Sequence, residues 1–220
     1  MSLEEELSYL PSYSQELGLD LTKPEDRVRW FLASILFAKR ISAEVAKRTF
    51  RQFEKEGLDT PEKMLAAGWD RLVEVLDSGG YVRYDFSTAT NLLEIMRILT
   101  DTNGDLEEIH RGATGPRDLE RRLEAIKGVG PVGANIFLRE LRGIWEKADP
   151  KPSDVAKKAA RRLGLRKVKT YESALVRTHL EYCKKHGCAE CPVESYCRRK
   201  IVQSQNRRLS GKGGTCGDDG

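Results

Sequence analysis

No stretch of this 220-residue chain is apolar for long enough to cross a bilayer, which takes about 20 consecutive apolar residues. The opening MSLEEELSYL is acidic and has no basic head followed by an apolar core, so no secretory leader is expected there. The chain is therefore expected inside the cell, in cytoplasm or nucleoid, with no membrane partner. The alternating pattern of a half-buried strand is missing throughout, which argues against a sheet-built fold. No repeat of solenoid period occurs either. Net charge is only +4, with 39% hydrophobic and 33% charged residues. What remains is a globular chain of one or two all-α domains, long enough for a real core and expected to be a monomer.

The small net charge hides an asymmetry. Residues 151–208 hold 16 Lys+Arg against 5 Asp+Glu, so the rest of the chain is acidic. Such a split points to one basic face for a polyanion, although a run of charge also serves as an ordinary solvated helix surface. Helical periodicity is plain at residues 28–38, whose apolar run belongs at the centre of a core. Ser42 reads as the cap of a helix through residue 53, and Thr60-Pro61 as the start of one through residue 67. Further helices are expected at 70–76, 88–99, 106–110, 116–127 and 170–185. Ser153 caps another at 155–163, whose alanines suggest close helix contact. The glycine-rich tail is expected to lack structure from about Ser210, with Cys216 free in it.

The chain is organised around residues 119–165. At their centre Gly128-Val129-Gly130 joins two helical patterns. Glycines can turn with positive φ and let a ligand approach the backbone closely. Pro131 suits the first turn of the next helix, whose free amides and dipole favour an anion. A helix–Gly-Val-Gly–helix unit is thus a candidate phosphate clamp. A tight turn between two helices is the plainer reading.

Four of the five cysteines, Cys183, Cys188, Cys191 and Cys197, follow a C-x4-C-x2-C-x5-C spacing. Disulfides are not expected inside a cell. Four thiolates so close suit a cubane iron–sulfur cluster or a single tetrahedral metal. Zinc is the competing ion, although paired C-x2-C units separated by a longer loop are its commoner frame. Lys184, Lys185, Arg198, Arg199 and Lys200 flank these cysteines and make the loop a phosphate contact.

Ile126-Lys127-Gly128-Val129-Gly130-Pro131 with Ala134-Asn135, followed by the cysteine loop, resembles the endonuclease III superfamily of helix-hairpin-helix DNA glycosylases, over about residues 28–197. The cysteine loop departs from that family in its shorter first gap. The resemblance implies a two-lobed all-α fold: a helical bundle with the hairpin over residues 27–145, and a discontinuous lobe of 1–26 plus 146–205 ending in a four-iron, four-sulfur cluster loop, with a disordered tail at 206–220. It implies double-stranded DNA as partner and base excision as the activity. It also implies a catalytic Asp downstream of the hairpin, where Asp149 and Asp154 both fit. Asp149 is favoured because it follows a small apolar residue, whereas Asp154 also reads as part of a helix cap. Bifunctional members carry a nucleophilic lysine where this chain has Val132, so a monofunctional enzyme using water is implied, without strand cleavage. Lys127 sits on the other side of the turn. Lys39 and Arg40 in one loop, and Tyr81 in another, occupy places where the family contacts DNA and fills the gap left by a flipped base. The missing lysine keeps open a non-catalytic DNA-binding protein of the same fold. A helical zinc protein with a protein partner is a third reading.

Overall fold

The computed structural model describes residues 1–101 and 106–198. Arg199, Lys200, Cys216 and the tail expected to lack structure lie outside the described residues. In chain order the helices are α1 (Leu3–Tyr9), α2 (Tyr13–Glu16), α3 (Pro24–Phe37), α4 (Ala43–Lys55), α5 (Pro61–Ser78) and α6 (Asp85–Asp101). There follow α7 (Leu106–Gly112), α8 (Pro116–Glu124), α9 (Pro131–Glu140), α10 (Asp154–Leu163) and α11 (Glu172–Thr178). The fold is all-α: among the described residues there is no strand, only a single bridge between Arg142 and Trp145. No described helix is long and apolar enough to cross a membrane.

Local chemistry sets the helix starts. Side-chain oxygens of Ser42, Thr60 and Ser153 accept from the amides of Val45, Lys63 and Ala156 at 3.2, 3.4 and 3.3 Å, each satisfying a first-turn N–H with no partner in its own helix. Ser2 with Glu5, and Ser12 with Gln15, form capping boxes that open α1 and α2. The helices expected at 61–67 and 70–76 join as α5, interrupted at Gly68, where φ is +76° and ψ 178°.

The chain divides into two compact units. The central one, residues 11–152, is built on α3, which packs against α4, α7 and α9. Trp30, Phe31, Phe50, Phe53 and Phe137 are completely buried there, and the Trp30 indole N–H donates to the Phe137 carbonyl at 3.3 Å. Full burial of such side chains contributes roughly 1.5–3 kcal/mol each. The terminal unit joins residues 1–10 to the chain from 153 onward. Its core is Leu7 of α1, the alanines 156, 159 and 160 of α10, and Leu175, Val176 and Val193. Small residues let α10 and α11 approach closely. Lys167 and Tyr171 bond Glu4 at 3.1 and 3.4 Å, and the Tyr196 hydroxyl donates to the Met1 carbonyl, so the first helix is tied into this unit.

Residues 11–26 and 146–152, expected with the discontinuous lobe, belong to the central unit. Tyr13 stacks on Phe37 with ring centroids 4.8 Å apart, and Leu17, Leu19 and Leu21 are buried in the same core as Trp30. These residues carry no helical period that would have said which core they join.

Candidate functional site

The hairpin lies between α8 and α9 and its two glycines do different work. Gly128 has φ +98°, and a β-carbon there would lie 2.8 Å from the Asn91 side chain of α6. Gly130 is extended, φ −89° and ψ 174°, and forms the N-cap of α9 without a side-chain capping bond. A β-carbon on Gly130 would meet nothing within 4 Å. The expectation of positive φ through both glycines thus holds only for Gly128. Pro131 opens α9, so the amides after it are the ones a bound anion would meet.

Several residues expected at the DNA surface are placed otherwise. Val129 and Tyr81 are buried, and the Tyr81 hydroxyl donates to the Leu36 carbonyl at 3.0 Å. Burial pushes that phenol well above its usual pKa. Tyr81 is therefore a core residue rather than a wedge; one ring satisfies both an apolar pocket and a buried carbonyl. Beside it Val82 is 62% exposed, as is Phe86 at 60%, with the Arg83 guanidinium 5.6 Å from the Tyr84 ring. Val132 is exposed at the start of α9. Lys127 is exposed and pairs with Glu94 at 2.8 Å. Lys39 is half-buried and Arg40 exposed, in the loop after α3.

The two candidate acids differ in setting. Asp149 belongs to the central unit with the hairpin; Asp154 belongs to the terminal unit. Asp154 is the first residue of α10, nearly fully exposed, with Lys157 at 3.2 Å. Asp149 is half-exposed, its carboxylate 3.6 Å from the Arg142 guanidinium, which also donates to the Pro150 carbonyl at 2.6 Å. The loop that carries Asp149 is pinned at both ends. Trp145 stacks on His110 at 4.6 Å and donates to Glu107 at 3.2 Å. At the far end Asn135 of α9 donates to the Lys151 carbonyl at 2.9 Å.

That last bond closes a recess beside the hairpin that the sequence did not announce. It has a volume of about 180 Å³ and is lined by Glu120 and Glu124 of α8, Pro131, Ala134 and Asn135 of α9, and Pro150 and Lys151. Burial, then the neighbouring Glu124, raise the Glu120 pKa above the usual carboxylate range; Lys151 and Arg117 oppose this and Asp149 adds to it.

In the terminal unit α11 runs on as a π-helical turn, His179–Cys183, into the cysteine loop. The four thiols are unpaired. Cys183, Cys191 and Cys197 line one small apolar recess together with Arg162 of α10. Burial pushes the Cys191 thiol up, and the other three cysteines act electrostatically in the same direction. Among the described residues no three side chains of metal-ligating type converge as a single bound ion requires. Three of the thiols line the recess, and Cys188 is exposed outside it. Among the described residues Lys158, Arg162 and Lys184 have no carboxylate partner, unlike Lys157, Lys167 and Arg177 of the same unit. After burial, these three cations are what hold the His179 imidazole below its usual pKa, and its Nδ1 is buried without a partner. An all-sulfur donor set beside uncompensated positive charge fits a group that is itself anionic, as four thiolates holding an iron–sulfur cluster are. A comparison with models of protein families finds no match, and no curated protein matches this chain.

Proposed function

We propose that this protein is a DNA glycosylase of the endonuclease III type, releasing a damaged or mismatched base by hydrolysis. The reading rests on the resemblance, and the observation that carries it is the hairpin. Gly130 is the N-cap of α9, and a β-carbon there would meet no described atom within 4 Å, which supports close approach of a phosphate. In the same unit, Asp149 sits on a loop pinned through Trp145 and Lys151.

In this reading the hairpin amides hold a backbone phosphate and set the register on the duplex. Bond cleavage builds positive charge on the sugar, and the Asp149 carboxylate stabilises it while water takes the base's place. Val132 offers no nucleophile, and Lys127 is engaged with Glu94. An intact strand with an abasic site is the product. Cys183, Cys188, Cys191 and Cys197 would hold a four-iron, four-sulfur cluster, which supplies structural anchoring for the short loop rather than base chemistry. Zinc in the same thiolates is separated by colour, since an iron–sulfur cluster absorbs broadly in the visible.

The deciding experiment is a panel of duplexes, each with one lesion or mismatch, scored for alkali-labile sites. Wild type is expected to release a base, and Asp149→Asn to lose release by about a hundredfold or more while binding DNA as before. Binding without release from any duplex would leave the non-catalytic DNA-binding reading. Loss in Asp154→Asn instead would move the role to Asp154.

A further inference from the structure

The recess between α8 and α9 has a chemical character of its own. Its volume, about 180 Å³, lies below the several hundred Å³ of drug-sized ligand sites and suits one small group. Glu120 and Glu124 face it against the single ammonium of Lys151. Asn135, which lines the wall, ties that wall to the loop through its bond to the Lys151 carbonyl.

We propose that this recess receives the extruded nucleobase and that its two carboxylates select a base carrying positive charge, as ring-alkylated purines do. The inference rests on the glycosylase reading and deepens it by naming the substrate class. The physical argument is one of mismatch. A carbonyl-rich base such as uracil would set acceptor oxygens against Glu120 and Glu124, leaving both partners desolvated and unpaired. A cationic base offers charge-assisted hydrogen bonds instead. Glu120 strengthens the case because burial and Glu124 already disfavour its charge; a cation entering the recess relieves that. Pro131 and Ala134 supply an apolar wall on α9, the helix that opens at Gly130.

The test measures equilibrium affinity and base release on the full chain. Duplexes carry one N7-methylguanine, one guanine or one uracil at the same position. Wild type is expected to bind the N7-methylguanine duplex about tenfold more tightly than the guanine one and to release that base in preference to uracil. Glu124→Gln, at an exposed position, and Glu120→Gln should each reduce the preference, read as the ratio of the N7-methylguanine and guanine duplex affinities. Equal affinity in wild type overturns the pocket, even where another base is released, in which case the glycosylase reading stands alone. A preference that survives both substitutions overturns the role of the carboxylates. A preference with no release from any duplex supports the pocket and rejects hydrolysis. No binding to any duplex overturns both.

Discussion

At the residue scale, Gly128 and Gly130 let folding and the proposed duplex binding be tested separately. Gly128→Ala puts an L side chain at φ +98° and a β-carbon 2.8 Å from Asn91. The conformation alone costs roughly 1–2 kcal/mol, so a melting curve should show clear destabilisation. Gly130→Ala is extended and uncrowded; it should fold with a loss below about 1 kcal/mol, from the poorer N-cap, yet bind duplexes more weakly whatever their sequence. If Gly130→Ala binds as tightly as wild type, the hairpin is only a turn. The valine between them was readable as part of the motif but not as buried. Nothing in Gly-Val-Gly says that Val129 faces the core, because that depends on how α8 and α9 cross. Tyr81 carries the same lesson: an aromatic in a glycine-rich loop suits a wedge or a plug equally, and the Leu36 carbonyl selects the plug.

At the scale of elements, His110 couples the pinned loop after α9 to pH. His110 stacks flat on Trp145, at 3° between ring planes, and its backbone carbonyl accepts from Lys147 at 3.0 Å. Burial first, then Lys147, hold its imidazole below the usual 6.5, with Arg27 acting the same way and Glu107 and Glu146 opposing. The folded state therefore prefers the neutral ring. That contribution is complete above the ordinary histidine value and is lost as pH falls below it toward the depressed one. The melting temperature of wild type should drop between pH 7 and about 5 more steeply than that of His110→Gln; parallel curves would show that His110 does not report on this loop. In the terminal unit, Ala160→Leu would overpack the buried alanine face of α10 and should cost about 1–3 kcal/mol, read by chemical denaturation. An unchanged midpoint would mean that the α10–α11 contact has slack.

For the whole molecule, charge and cysteine placement carry the predictions. If the four cysteines hold the proposed cluster, Cys191→Ser, at a recess that Cys183 and Cys197 also line, should make purified protein lose visible colour and iron together, and retention of both would exclude that thiol as a ligand. Duplex affinity should fall steeply with salt, because each phosphate contact releases counterions. Neutralising Lys158 and Lys184 together tests whether these cations, without a carboxylate partner among the described residues, serve the thiol centre or the duplex. A lower iron content with an unchanged salt slope would assign them to the centre. A reduced slope with full iron would assign them to DNA.

The sequence alone determined the helical character of the chain, since helix periods and caps are written within a few residues of one another. It marked α3 as central by its apolar run, placed the caps at Ser42, Thr60 and Ser153, and spaced the hairpin glycines and the cysteines. It also held the capping boxes at Ser2 and Ser12, whose Glu5 and Gln15 partners signal the short helices α1 and α2. Only the tertiary structure decided which core residues 11–26 join and that Tyr81 and Val129 turn inward. It also decided that Glu120, Glu124, Asn135 and Lys151 enclose one recess. The physical reason is the range of the interactions. A cap or a glycine turn is settled by neighbours three or four residues away. The recess depends on the crossing of α8 and α9 and on a bond from Asn135 to Lys151, sixteen residues along the chain, and no local pattern records that meeting.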